Sequence, residues 1–274
     1  MTQPATPTDT MSTGKAARLD RVGTDDRYVV VPMDHGITIG AVRGLKDIET
    51  TIDAVTRGGA DSVLTQKGVA PRAHPNLNGA GYIVHLNGST VIGPDANDKR
   101  PTGSVKAAIR AGADAVSFHI TVGSNPEREQ IEGLGRLTDE AAEYGLPVLA
   151  MTYARGPDVD GADPEALGHA ARLGEELGAD LIKTGYSGSA ESFEHVCEST
   201  RLPVLIAGGS PGGDLESLED VRGAMDAGGA GVSMGRTIFQ HDDPEKMARA
   251  VSLVVHDDFG AEDALEQAGL AVEV

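Results

Sequence analysis

Gly178-Ala179-Asp180-Leu181-Ile182-Lys183-Thr184-Gly185-Tyr186 reads as a helix end, a buried strand and a loop. Glycine supplies the left-handed cap on which helices end, and alanine allows close packing below a sheet. Leu181 and Ile182 form the strand, and Gly185 with Ser187-Gly188 stops it. The same turn returns at Gly59-Ala60-Asp61-Ser62-Val63 and Gly112-Ala113-Asp114-Ala115-Val116, and in altered form at Gly229-Ala230-Gly231-Val232. Working outward from these four turns gives eight apolar strands: Tyr28–Met33, Ser62–Gln66, Tyr82–Leu86, Ala115–Ile120, Pro147–Thr152, Asp180–Thr184, Pro203–Ala207 and Gly231–Met234. Each is short and continuously apolar, as parallel strands covered on both faces are.

Helical segments separate the strands, among them Leu45–Thr56, Gly103–Ala111, Ile131–Tyr144, Pro164–Leu177, Ala190–Thr200, Leu215–Ala227 and Pro244–His256. Strand–helix alternation means βαβ units, and the repeated turn before every second strand fits a closed barrel built in alternating layers. An open doubly wound sheet would carry a glycine-rich dinucleotide turn after its first strand; Asp34-His35-Gly36-Ile37 lacks that spacing. The expectation is an α/β protein with one (β/α)8 barrel over residues 14–274. A short basic helix from Gly14 to Val22 is expected to cover one end. Residues 1–13, rich in Thr, Pro and Ser, are expected to be a mobile tail, with Met11 a second candidate start.

Composition narrows the function classes. A net charge of −19 disfavours nucleic acid and anionic membrane as partners, and suits a surface kept soluble in high salt. No signal-peptide pattern or apolar run of membrane-spanning length is present. The single cysteine, Cys197, makes no disulfide framework or thiolate cluster, and a cytoplasmic setting is expected. Cys197 reads as packing and His241 as a solvated residue at a helix start.

In such barrels the chemistry lies at the C-terminal ends of the strands. Lys183 ends the sixth. A lysine there is costly to bury, and desolvation that lowers its pKa by ~3 units from about 10.4 represents ~4 kcal/mol, giving the neutral amine that imine formation needs. A lysine bent to solvent or paired with a carboxylate is the plain alternative. Asp34, at the end of the first strand, suits proton transfer, or else a turn cap. Tyr153, at the end of the fifth strand and beside Lys183, offers a phenol to a reacting oxygen, or is a core tyrosine. Gly208-Gly209 and Gly235-Arg236 end the seventh and eighth strands, where backbone N–H groups and a guanidinium suit a phosphate cradle, or else the glycines only make tight turns. His35, His85 and His119 also fall at strand ends and raise zinc as a rival, though without His-x-His or His-x-x-x-His spacing.

Val31-Pro32-Met33-Asp34-His35-Gly36, Met151-Thr152-Tyr153-Ala154-Arg155-Gly156, Lys183-Thr184-Gly185-Tyr186-Ser187-Gly188, Ala207-Gly208-Gly209 and Met234-Gly235-Arg236-Thr237-Ile238-Phe239-Gln240 together resemble the archaeal-type class I aldolases. The resemblance runs from Arg27 to His256. It implies that Lys183 forms the Schiff base, Tyr153 donates a proton and Asp34 accepts one. It further implies that Asp34, His35, Gly36, Ile37 and Thr38, with Tyr153, Ala154, Arg155, Lys183, Gly208, Gly209, Gly235 and Arg236, hold a phosphorylated keto sugar. The chain is most similar to the branch that transfers a three-carbon enamine to L-aspartate semialdehyde, early in aromatic amino-acid biosynthesis. No metal or cofactor is implied. A homo-oligomer is expected by the same resemblance, a decamer among its forms.

Two alternatives stay open: a class I fructose-bisphosphate aldolase and a non-catalytic sugar-phosphate-binding barrel. Fructose-bisphosphate aldolases resembling this chain place tryptophan where Met151 stands, and this chain has no tryptophan. Ala154 stands where relatives usually have proline, and Ser189 where many have aspartate; both bear on acceptor specificity.

Overall fold

Residues 12–209 and 213–272 are described by the computed structural model. The strands in chain order are β1 (Tyr28–Pro32), β2 (Ser62–Gln66), β3 (Gly81–His85), β4 (Asn87–Gly88), β5 (Arg100–Pro101), β6 (Ala115–Val122), β7 (Val148–Ala154), β8 (Leu181–Thr184), β9 (Val204–Ala207) and β10 (Gly231–Ser233). The helices are α1 (Thr13–Val22), α2 (Gly36–Ile39), α3 (Ile48–Arg57), α4 (Ala70–Ala73), α5 (Val105–Arg110), α6 (Glu127–Glu143), α7 (Pro164–Glu176), α8 (Ala190–Glu198), α9 (Asp214–Asp226), α10 (Arg236–Phe239), α11 (Pro244–Asp257) and α12 (Ala261–Ala268). Eight strands close into a parallel barrel in the order β1-β10-β9-β8-β7-β6-β3-β2. All eight predicted strands are there. β4 and β5 form a separate antiparallel ribbon that the apolar pattern did not reveal, because each is only two residues long and a mostly polar excursion joins them.

The alternation of side chains along each strand sorts the core into two sets. Tyr28, Val30, Leu64, Ile83, Ala115, Leu149, Met151, Leu181 and Leu205 fill the barrel. Val29, Val31, Val63, Val116, Ile182 and Ile206 face outward against helix residues such as Phe193, Leu218 and Val251. Each fully buried aliphatic side chain contributes about 1.5–3 kcal/mol from removal of apolar surface from water. Leu181 points in and Ile182 out, so Lys183 points in.

The predicted strands five and four extend further than expected. Thr121 pairs with Tyr153 and Val122 with Ala154, so Tyr153 lies within β7. The first helix begins at Thr13, where Ser12 Oγ accepts from the Lys15 N–H at 3.3 Å. The remaining tail residues, 1–11, lie outside the described residues.

The repeated aspartate seals the lower end of the barrel. Asp61 Oδ2 accepts from the Val29 N–H at 2.7 Å, Asp114 Oδ2 from Tyr82 at 2.9 Å and Asp180 Oδ2 from Val148 at 2.9 Å. Each also meets a base: His256 on Asp61 at 2.9 Å, Arg21 on Asp114 at 2.5 Å, Lys15 on Asp180 at 2.9 Å. Arg21 and Lys15 come from α1, whose Val22 joins the inner core with Leu19 packed against it, so α1 plugs the barrel floor. The fourth turn is offset by one residue from the pattern read in the sequence. Gly228, not Gly229, is left-handed there, and the Ala230 N–H bonds Val204 O in the aspartate's place. Gly231, with φ 130°, leaves no room for a side chain: a Cβ would lie 2.1 Å from Tyr28 O. His241 is not solvated as expected. Its side chain is 15% exposed and its Nε2 lies 3.0 Å from Asp214 Oδ2, joining the turn before α11 to the start of α9.

Candidate active site

The upper end of the barrel opens on a cavity of about 950 Å³. Of the residues expected at the site, Asp34, His35, Ile37, Thr38, Tyr153, Ala154, Arg155, Lys183, Gly208, Gly209, Gly235 and Arg236 line it. Gly36 does not. It starts α2 and opens on a neighbouring groove with Gln66 and Lys67. Ser210, which follows Gly208-Gly209 at the end of the seventh strand and falls in the same strand-end reading, lies outside the described residues.

Lys183 is 6% exposed and flanked in register by Met151 and Leu205. Asp34, just past β1, stands between two imidazoles: its Oδ1 is 3.7 Å from His35 Nδ1 and its Oδ2 is 3.7 Å from His85 Nε2. Burial works to raise the Asp34 carboxyl, but His85, His35 and Lys183 outweigh it and hold it below the usual carboxylate range. The strand register sets His85 against Ser117, whose Oγ is 2.7 Å from its Nδ1. Burial pushes the His85 imidazole down to about 4, against the pull of Asp34, so it is neutral near pH 7.

His119 faces Tyr153 with ring centroids 4.9 Å apart, and the Arg155 guanidinium lies 4.4 Å over the same tyrosine ring. Burial, then Lys99 and Arg155, drives His119 well below its ordinary value. The three histidines therefore divide between two tasks, two beside Asp34 and one beside Tyr153.

Glycine is required where the loops after β9 and β10 meet. A Cβ on Gly208 would lie 2.8 Å from Met234, and one on Gly235 would lie 2.6 Å from Pro32 O. Arg236 Nη2 donates to Gly209 O at 2.8 Å and Thr237 Oγ1 to Gly208 O at 2.8 Å, tying the two loops together. Among the described residues, the Gly208, Gly209 and Gly235 N–H groups have no backbone acceptor. Free N–H groups beside a guanidinium suit a phosphate.

Residues 28–241 match the model of the DeoC/LacD family aldolases. The chain belongs to this aldolase family. The aldolase is 62% identical, over 95% of its length and 98% of the relative's, to the 2-amino-3,7-dideoxy-D-threo-hept-6-ulosonate synthase of Halobacterium salinarum. It is 42% identical, over 93% of its length and 96% of the relative's, to synthase 1 of the same name from Archaeoglobus fulgidus. Among solved structures, a Schiff-base-forming fructose-1,6-bisphosphate aldolase superposes with a TM-score of 0.80 at 28% identity, covering 88% of this aldolase and 100% of that chain.

Sequence reasoning missed Lys99, which enters the cavity from the excursion between β4 and β5. It missed Asn87 as well, whose carboxamide accepts from the His119 N–H at 3.0 Å and donates to His119 O at 2.8 Å. Asn87 directly follows the third predicted strand and was readable as a strand-end residue, whereas for Lys99 the signal was a lysine in a long polar connection. The aldolase has no described helix long and apolar enough to cross a membrane.

Proposed function

We propose that this protein is a Schiff-base transaldolase making 2-amino-3,7-dideoxy-D-threo-hept-6-ulosonate from a 6-deoxy-5-ketohexose phosphate and L-aspartate semialdehyde. It is an enzyme of the lysine-imine class and acts in aromatic amino-acid biosynthesis. The observation that carries the site assignment is Lys183. It is buried at the centre of the cavity, on the strand between the phosphate cradle and Tyr153, and makes no ion pair among the described residues. A buried amine with no carboxylate at ion-pair distance is placed to attack a carbonyl.

The Lys183 amine adds to the donor's ketone, and loss of water gives the imine. The protonated imine draws the electrons of the adjacent carbon–carbon bond as that bond breaks. Hydroxypyruvaldehyde phosphate leaves and a three-carbon enamine stays on the lysine. The enamine carbon then attacks the aldehyde of L-aspartate semialdehyde. Water hydrolyses the new imine, releasing product and restoring the amine. Asp34, an anion held between two imidazoles, takes the proton from the donor hydroxyl as the bond breaks, and Tyr153 supplies protons to developing oxygens. The cradle of Gly208, Gly209, Gly235 and Arg236 holds the phosphate, and His35, Ile37, Thr38, Ala154 and Arg155 line the sugar's path. Gly36 sets the turn that presents His35 and Ile37.

Borohydride reduction in the presence of the keto-sugar phosphate, followed by peptide mass spectrometry, tests this reading. The expected adduct is on Lys183; none on any lysine would leave a non-catalytic sugar-phosphate barrel. Product analysis with and without L-aspartate semialdehyde separates the synthase from a fructose-bisphosphate aldolase. We also propose a cytoplasmic homo-oligomer, with light scattering as its check; Ile92 is 94% exposed on the excursion after β4 and is available to such a contact.

A further inference from the structure

Of the chain's seven lysines, two line the same cavity. Lys183 has a part in the proposed chemistry and Lys99 has none. Its placement is nonetheless built with care. Lys99 Nζ donates to Ser89 Oγ at 2.8 Å, and that hydroxyl donates to Ala96 O at 2.6 Å, closing the excursion on itself. Asn97 O accepts from Gln130 Nε2 and from Thr121 Oγ1, and Asn87 bonds the backbone of His119, so the excursion is fixed to β6 and α6. A half-buried ammonium has been brought to the mouth of the barrel on a loop whose geometry is held in advance.

Carboxylates lie in its neighbourhood, Asp34 and Asp95 among them, but none is within ion-pair distance among the described residues. Among the described residues Lys99 forms no ion pair, and its hydrogen bond is to the neutral Ser89. Among the described residues Arg155 also forms no ion pair; its guanidinium lies over the Tyr153 ring. Burial presses hardest against the Lys99 charge; Asp34 opposes it, Arg155 adds repulsion from a second cation, and Asp95 opposes in turn. Two unpartnered cations at one edge of a cavity make an anion subsite in the way a fork and a point charge together do.

Strand order places this pole. The phosphate cradle comes from the ends of β9 and β10, Lys183 from β8, and the Lys99–Arg155 pair from β7 and the excursion bound to β6. The enamine on Lys183 therefore stands between two cationic poles. The acceptor carries a carboxylate a short chain away from its aldehyde. Were that carboxylate to use the phosphate cradle, the departing phosphorylated aldehyde would compete for it and return along the reverse path.

We infer that Lys99, with Arg155, binds the carboxylate of the amino-aldehyde acceptor, on the opposite side of Lys183 from the phosphate cradle. The inference rests on the transaldol reading above. Steady-state kinetics of the full chain, with donor and acceptor varied separately, test it. Lys99→Met should raise the acceptor KM roughly ten- to a hundred-fold, the loss of one charge-assisted contact. Donor KM, and the amount of imine trapped with donor alone, should stay unchanged. Lys99→Arg should restore much of the acceptor affinity. Inorganic phosphate should compete with donor and not with acceptor. An unchanged acceptor KM in Lys99→Met, equal rises for both substrates, or phosphate competing with acceptor would each overturn the inference and leave the imine chemistry standing. Absence of a trapped imine in the unaltered enzyme would overturn the transaldol reading and the acceptor subsite with it.

Discussion

At the lower end of the barrel Asp61, Asp114 and Asp180 each satisfy a strand N–H and a basic side chain at once. At the mouth, Lys183, Lys99, Arg155 and Arg236 line a cavity without an ion pair among the described residues. There His119 Nε2 and Ser233 Oγ are buried with no hydrogen-bond partner. The same strands run through both ends, so the difference is not one of fold. One end is completed by the chain itself; the other is left for a substrate to complete. Polar groups that a protein buries without partners are costly, and they persist where function requires them.

Three experiments act on the mouth. Lys183→Ala has the largest expected effect: turnover falls by roughly a thousandfold or more and the borohydride adduct disappears, while circular dichroism shows a folded barrel. Asp34→Asn and Tyr153→Phe come next, each with an expected kcat loss of about 10²–10⁴-fold, the scale of general acid–base catalysis. Tyr153→Phe should still allow some adduct on Lys183, which separates proton transfer from imine formation. The third effect is on stability. The unfolded chain protonates His85 near pH 6.5, while the folded chain resists until about 4. The unfolded state thus binds more protons across that window, and stability drops as pH falls from about 6.5 to 4, by roughly 3 kcal/mol from this group. Urea titrations at a series of pH values measure the slope, and His85→Asn should reduce it.

This division explains which parts of the molecule were legible in advance. The barrel was, because short continuously apolar runs and the Gly-Ala-Asp turns are local signals repeated along the chain. Strand-end residues such as Asp34 and Lys183 followed, since barrel topology sends every strand end to one face. The aspartate of the repeated turn was visible, yet its role was not: Asp180 reaches back 32 residues to Val148 N, a non-local contact no periodicity encodes. Lys99 was hidden for a related reason. It reaches the cavity through an excursion whose path depends on Asn87, Asn97 and Gln130 meeting across β6 and α6. The fourth turn misled by one position because three successive candidates, Gly228, Gly229 and Gly231, bracket a single alanine.

The lower end gives the smaller effects, and they sharpen the comparison by what they leave alone. Asp180→Ala removes the acceptor for the Val148 N–H and the partner of Lys15 together, so a loss of about 1–3 kcal/mol is expected in urea unfolding, with kcat within twofold of the unaltered enzyme. Lys15→Ala leaves the Asp180–Val148 bond in place and loses only the ion pair, at about 1 kcal/mol or less. The order of these two decides what α1 is for. If Lys15→Ala equalled Asp180→Ala, the helix would be held chiefly by its charges. If it is the lesser, as expected, the apolar plug of Leu19 and Val22 holds α1 in place and the ion pair only sets its register. A fall in kcat for Asp180→Ala as large as that for Asp34→Asn would mean that the floor and the mouth are coupled through the strands, and that the floor's charges serve catalysis as well as folding.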